Sequence, residues 1–144
     1  MVIPFEPPKG KIILFIEDDN DLVDMYHMVF DDNGYYFLST SDIETGLMFC
    51  KGKTEKPNIV LLDILLPSKN KEIDKEGFKF LEQLKKDPKT KDIPVVILTN
   101  LDTGEDMKRG MDLGAEDYII KAGHSPQVVL KRVEKVLEES KKKK

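Results

Sequence analysis

The chain has little cysteine, no tryptophan and no long apolar run. Its 144 residues include one cysteine, Cys50, so it can form no internal disulfide and no zinc cluster of paired cysteines. No apolar stretch approaches the roughly 20 residues that a membrane-spanning helix needs. The N-terminus lacks the basic region and apolar core of a secretory signal. We therefore expect a cytoplasmic protein that makes no use of the membrane.

The charge balance excludes another broad class of partner. The net charge is −4, from 23 basic and 27 acidic residues, which gives no general electrostatic case for nucleic-acid binding. A composition that is 40% hydrophobic and 35% charged is typical of a globular domain. The length fits a single core. We expect an irregular arm over residues 1–10, one domain over residues 11–139 and a basic, solvated tail over residues 140–144.

Five short apolar segments predict β-strands. They are rich in β-branched, aromatic and leucine residues, as in strands that are buried on both faces of a parallel sheet. Helical spacing of apolar residues predicts a helix after each of them. The predicted strands cover residues 11–16, 35–38, 59–62, 93–98 and 118–120. The predicted helices cover residues 20–32, 42–51, 78–86, 103–113 and the segment that follows Ser125.

This alternation of strand and helix indicates the fold class. Five repeats of β-α predict a parallel sheet with helices on both faces. Five strands are too few for an eight-stranded barrel. We therefore predict an α/β fold with a doubly wound, flavodoxin-like sheet of strand order 2-1-3-4-5.

Charged and polar side chains follow four of the predicted strands, at the edge where such a sheet binds ligands. In chain order they are Glu17, Asp18, Asp63, Thr99 and Lys121. Crowded carboxylates raise one another's pKa, and a hard divalent cation such as Mg²⁺ relieves that repulsion.

The same residues predict phosphoryl transfer to a carboxylate. Asp63 would attack phosphorus and become an aspartyl phosphate. Lys121 and the Thr99 hydroxyl, with the metal ion, would stabilise charge on the phosphoryl oxygens. The backbone carbonyl of Leu65 is positioned in the sequence to complete the ligands of the metal.

Four motifs resemble those of response-regulator receiver domains of the single-domain, chemotaxis type. They are ILFIEDD, IVLLDILLP, VVILTN and GAEDYIIK, in that order and at family-like spacing. The resemblance implies that Asp18 and Asp63 bind Mg²⁺ by their side chains and Leu65 by its carbonyl. Glu17 would hold a metal-bound water. A histidine kinase or a phosphotransfer protein would supply the phosphoryl group.

The resemblance also implies how the protein signals. Thr99 and Tyr118 would form a switch pair, in which Thr99 moves toward the phosphoryl group and the Tyr118 ring turns inward. The face made by the fourth helix, fifth strand and fifth helix would then change shape and bind an output protein, or a second copy of the chain. We expect a stand-alone regulator, because no output domain follows the last predicted helix.

Three features depart from the usual family pattern. Ala122 replaces the proline that commonly follows the active-site lysine, so a cis peptide is not expected there. Asn100 replaces a very small residue, and its amide would either narrow access to the phosphoryl group or donate a hydrogen bond to it. Residues 68–76 are an insertion that we interpret as a charged surface loop, either inert or important for partner choice.

Two other functions remain open. The first is a Mg²⁺-dependent phosphatase that forms an aspartyl phosphate, but Leu65 occupies the position where such enzymes usually carry a second acid. The second is a pseudo-receiver that binds partners without phosphorylation. We expect a phosphoacceptor switch that catalyses only its own phosphorylation and dephosphorylation and acts on no external substrate.

Overall fold

A five-stranded parallel sheet with helices on both faces forms the protein, in a computed structural model that describes residues 10–53 and 55–142. The strands are β1 (Ile12–Ile16), β2 (Tyr36–Thr40), β3 (Ile59–Leu62), β4 (Leu66–Pro67), β5 (Ile73–Asp74), β6 (Val95–Thr99) and β7 (Asp117–Ile120). The helices are α1 (Asn20–Asp32), α2 (Ile43–Cys50), α3 (Glu76–Lys86), α4 (Gly104–Asp112) and α5 (Pro126–Lys142).

The strand order of the main sheet is β2-β1-β3-β6-β7, and every pairing in it is parallel. Numbered by the five sheet strands alone, this is the predicted order 2-1-3-4-5, so the fold prediction is confirmed. The order changes direction between β1 and β3, and the carboxyl ends of these two strands therefore border the crevice where such sheets bind ligands.

Two apolar clusters, one on each face, hold the helices against the sheet. The side chains of β1 alternate between them, with Leu14 and Ile16 on the face of α2 and α3, and Ile13 and Phe15 on the face of α1 and α5. All five residues of β1 are buried. Its register is set by pairing with β2 along the whole strand and with β3 from Ile13 to Ile16, so the polar residue that follows it is held at one edge of the sheet.

Several boundaries differ from the prediction. β2 continues to Thr40, because its backbone pairs with β1 as far as Ile16. β6 begins at Val95, since Pro94 has no N–H to donate to the ladder. α5 extends to Lys142, three residues into the segment predicted as a tail, because lysine favours helix and is stabilised at a helix C-terminus. Residues 1–9 of the predicted arm lie outside the described residues.

The insertion lies at the surface, as the sequence suggested, but part of it is paired in a regular way. β4 and β5 pair in antiparallel fashion and make a small hairpin. The turn is closed by two hydrogen bonds, from Ser68 N–H to Glu72 O at 2.8 Å and from Lys71 N–H to Ser68 O at 2.8 Å. Lys71 has a φ of 64°, a conformation that glycine usually supplies, so the residue type at this position gave no turn signal.

Within residues 10–53 and 55–142, none of the helices combines the length and the apolar character that crossing a bilayer requires.

Candidate functional site

Three carboxylates meet where β1 and β3 end. Glu17 and Asp18 follow β1, Asp63 follows β3, and one oxygen from each lies within 4.8 Å of the others. Glu17 and Asp63 are only 3% and 4% exposed, whereas Asp18 faces solvent. The structure thus brings together the three side chains that the sequence proposed as metal ligands.

The sheet itself fixes the backbone of the two buried acids. The Glu17 N–H donates to Thr40 O at 3.0 Å, and the Asp63 N–H donates to Ile16 O at 3.0 Å. Asp19, the next acid along the chain, caps a helix. Its Oδ1 accepts from backbone N–H groups in the first turn of α1, which makes it the N-cap of that helix.

Lys121 lies between the two buried carboxylates. Its Nζ is 2.8 Å from Asp63 Oδ2, to which it donates a hydrogen bond, and 2.7 Å from Glu17 Oε2, with which it forms an ion pair. The backbone N–H of Lys121 donates to Thr99 O at 2.9 Å, which extends the ladder between β6 and β7. Burial of the ammonium lowers its pKa, but the contacts with Asp63 and Glu17 outweigh burial, so the net pKa is raised.

Glu17 is the most perturbed acid of this group. Burial, followed by the charge of Asp63, raises the pKa of Glu17 from 4.5 to about 7, although Lys121 lowers it. One lysine therefore does not offset the cost of holding two carboxylates in a buried position. The oxygen-rich donor set and this residual repulsion both fit a hard divalent cation held by Glu17, Asp18 and Asp63.

Thr99 and Tyr118 lie on neighbouring strands beside this cluster. Thr99 is fully buried at the end of β6, and its Oγ1 accepts a hydrogen bond from Leu101 N–H at 3.4 Å. The Tyr118 ring is only 7% exposed, and its hydroxyl donates to Leu101 O at 2.6 Å. Burial raises the pKa of Tyr118 to about 12. The ring is therefore already in a buried position.

Leu65 is half-buried two residues after Asp63, and its N–H donates to Asp63 Oδ1 at 3.3 Å. This contact helps orient the carboxylate. The role of the Leu65 carbonyl as a metal ligand stays a prediction.

Sequence reasoning missed two contacts of this region. The Asn100 carboxamide oxygen accepts a hydrogen bond from Ala122 N–H at 3.0 Å, so two of the departures from the family pattern meet each other. No cis peptide bond occurs among the described residues, as expected for the peptide before Ala122. No signal in the sequence pointed to this contact, because Asn100 and Ala122 lie in the loops that follow β6 and β7.

The second contact is a close approach of α3 to the strand that carries Asp63. A Cβ added at Gly77 would lie 2.4 Å from Asp63 O and 2.6 Å from Ile64 Cα. The Gly77 N–H also donates to Ile64 O at 3.0 Å. Only glycine lets the helix begin this near to Asp63.

The chain is similar to curated transcriptional regulators over part of their length. The phosphate regulon transcriptional regulatory protein PhoB of Escherichia coli K12 is 33% identical over 128 residues, which cover 89% of this chain and 52% of PhoB. The alkaline phosphatase synthesis transcriptional regulatory protein PhoP of Bacillus subtilis is 32% identical over 131 residues, covering 91% and 50%. The chain thus spans about half the length of these relatives.

Solved structures and a family model agree with this similarity. A CheY-like response regulator receiver domain protein from Methanospirillum hungatei superposes with a TM-score of 0.81 at 25% identity, over 94% of this chain and 100% of that one. The BeF3-activated receiver domain of Klebsiella pneumoniae RstA gives a TM-score of 0.74 at 28% identity, over 88% and 98%. The family model for the response regulator receiver domain matches residues 13–134. The chain therefore belongs to the receiver domain family of two-component response regulators.

Proposed function

We propose that the chain accepts a phosphoryl group on Asp63 and uses it to switch between conformations. The observation that carries this proposal is the position of the Asp63 carboxylate. It is buried at the switch point of the sheet, in contact with the Lys121 ammonium and close to the carboxylates of Glu17 and Asp18. A nucleophilic carboxylate with a fixed cation beside it suits transfer of a group that carries several negative oxygens.

The transfer step follows from this geometry. An Asp63 carboxylate oxygen forms a bond to phosphorus while the P–N bond of a donor phosphohistidine breaks, and the leaving imidazole keeps the electron pair. Lys121 stabilises charge on a phosphoryl oxygen during transfer, and the Thr99 hydroxyl donates to another. The Leu65 N–H, bonded to Asp63 Oδ1, orients the attacking carboxylate.

Glu17, Asp18 and Asp63 would hold Mg²⁺, with the Leu65 carbonyl as a further ligand. When bound, the ion supplies positive charge that neutralises the phosphoryl oxygens and the acidic cluster. The raised pKa of Glu17 supports the assignment, because an ion at this place favours the charged form of that group.

The switch would run through Thr99 and Tyr118. Phosphorylation draws Thr99 toward the phosphoryl group and stabilises the buried ring of Tyr118, whose hydroxyl is bonded to Leu101 O. The surface that responds is made by α4, β7 and α5. Two exposed methionines of α4, Met107 and Met111, give this surface apolar area for an output partner or a second copy of the chain.

The donor would be a histidine kinase or a phosphotransfer protein, and the compartment the cytoplasm. The relatives PhoB and PhoP are named as transcriptional regulators, and the chain spans about half of each. If these 144 residues are part of a longer protein, we propose a transcriptional output for that protein. If they act by themselves, we propose a stand-alone regulator that binds a protein partner.

Intact-mass spectrometry after incubation with Mg²⁺ and phosphoramidate tests the proposal. We expect the mass of one added phosphoryl group, absent in the matched variant Asp63→Asn, which keeps the size of the side chain but not its charge. No modification of the parent chain would instead support a pseudo-receiver. Continuous release of phosphate from unrelated phosphate esters would support a phosphatase.

A further inference from the structure

Three consecutive residues, beginning with the last residue of β6, are hydrogen-bonded to β7 and the loop that follows it. Thr99 O accepts from Lys121 N–H at 2.9 Å, and Leu101 O accepts from the Tyr118 hydroxyl at 2.6 Å. Between them, Asn100 Oδ1 accepts from Ala122 N–H at 3.0 Å. The segment of the candidate switch residue Thr99 is thus connected at three points to the segment of Lys121.

The contact of Asn100 differs from the other two because a side chain replaces a backbone carbonyl. The parallel ladder between β6 and β7 ends at the bond from Lys121 N–H to Thr99 O. The next N–H, that of Ala122, is bound by the Asn100 carboxamide. This hydrogen bond depends on both Asn100 and Ala122. Proline at position 122 would have no N–H to donate, and a very small residue at position 100 would have no carboxamide to accept.

These two hydrogen bonds restrict the backbone of Lys121, which lies between them. The N–H groups on both sides of the Lys121 α-carbon are held, one by Thr99 O and one by Asn100 Oδ1. The backbone torsions of Lys121 are therefore restricted, and only its side-chain torsions remain to bring Nζ to Asp63 and Glu17. Without the Asn100 bond, the loop after Lys121 would keep two contacts of His124, from its N–H to Lys121 O at 3.4 Å and from its Nδ1 to Ile120 O at 2.7 Å, and neither of these holds the Ala122 N–H.

We propose that Asn100 is a positioning residue, which holds the loop after β7 so that Lys121 stays beside Asp63. This inference rests on the proposed function, because it assigns Asn100 a part in phosphorylation of Asp63. The bond from Ala122 N–H to the carboxamide oxygen gives Asn100 a role beyond the two considered from the sequence, which were narrowing access to the phosphoryl group and donating a hydrogen bond to it.

Rates of phosphorylation by phosphoramidate distinguish positioning from bulk. Asn100→Leu keeps the size but removes the acceptor, and Asn100→Ala removes both. Positioning predicts that both variants are about twofold to tenfold slower than the parent, the range that one ordinary hydrogen bond supplies. If the Asn100 side chain instead acts as bulk that narrows access to Asp63, phosphorylation should be faster in Asn100→Ala and unchanged in Asn100→Leu. Either result would overturn the inference.

A double-mutant cycle assigns the effect to the contact itself. Ala122→Pro removes the N–H donor, so Asn100→Leu made on that background should change the rate no further, whatever Ala122→Pro does alone. An undiminished effect of Asn100→Leu on that background would contradict the proposal. Thermal unfolding of each variant checks that the rates are compared among folded proteins.

Hydrogen exchange of the Ala122 amide, followed by NMR in the unphosphorylated protein, separates this inference from the proposed function. We expect slow exchange in the parent chain and exchange about twofold to tenfold faster in Asn100→Leu. Equal exchange rates would overturn the inference even if Asp63 is phosphorylated. Failure to phosphorylate the parent chain overturns the proposed function, and the amide exchange still decides whether Asn100 holds the loop.

Discussion

Glu17 should make the folded protein less stable as the pH rises when no divalent cation is present. Its pKa is about 7 in the folded protein against 4.5 for an unhindered glutamate, because its carboxylate is buried beside Asp63. The folded state therefore holds a proton that the unfolded state has released. The stabilising effect of that proton is complete below pH 4.5 and is lost as the pH rises through 7.

The magnitude follows from the difference between the two pKa values. Each pKa unit corresponds to about 1.4 kcal/mol, so Glu17 alone lowers the free energy of unfolding by about 3 kcal/mol between pH 4.5 and pH 8. The side chain is only 3% exposed, so solvent screening reduces this value little. For a chain of this length, that loss corresponds to a fall in Tm of about 6–12 °C.

Thermal unfolding in chelator, measured from pH 5 to pH 8, checks this reasoning. Glu17→Gln is the matched control, because it keeps the shape and removes the titrating group while every other acid and base remains. We expect the parent to lose more stability than Glu17→Gln across this range. We also expect Mg²⁺ at pH 8 to stabilise the parent, since a bound cation favours the ionised form of Glu17.

Parallel pH profiles for the parent and Glu17→Gln would refute the account of the acidic cluster. The buried pair would then be neutralised by Lys121 alone, and the electrostatic reason for a divalent cation at this place would disappear.

Two further predictions concern the surroundings of Asp63. Gly77→Ala should lower the free energy of unfolding by about 1–3 kcal/mol in denaturant titration, because its Cβ would meet Asp63 O at 2.4 Å. The control Gly104→Ala, which meets nothing within 4 Å, should be neutral or stabilising by about 0.5–1 kcal/mol. Leu65→Asn should shorten the lifetime of the phosphorylated form severalfold, since an amide beside the aspartyl phosphate admits water. An equal or longer lifetime would contradict that shielding role.

Much of the fold and of the candidate site could be predicted from the sequence, for a physical reason. Strands buried on both faces give continuous apolar runs, and these end abruptly where the chain reaches the edge of the sheet. Glu17, Asp63 and Lys121 each stand directly after such a run. Because parallel strands present their carboxyl ends at one edge, the order of the strands places Glu17 beside Asp63, and the long side chain of Lys121 reaches both of them across β6.

Contacts between loops could not be predicted in this way. The hairpin of β4 and β5 depends on a positive φ at Lys71, a residue type that gives no turn signal. The bond from Ala122 N–H to Asn100 depends on how two loops leave neighbouring strands. Such contacts are set by three-dimensional approach, and neither residue composition nor hydrophobic periodicity carries information about it.

An ion pair from Lys75 Nζ to Asp106 Oδ1, at 2.9 Å, connects the residue that follows β5 to α4, which is part of the proposed signalling face. The Lys75 side chain is 45% exposed, so the pair contributes about 0–1 kcal/mol. Asp106 is held more firmly by Thr103, whose hydroxyl donates to Asp106 Oδ2 at 2.6 Å and accepts from its N–H at 3.1 Å. These two bonds cap α4 and fix Asp106 independently of the hairpin. The position of Asp106 is therefore set within α4, and the ion pair with Lys75 adds little to it.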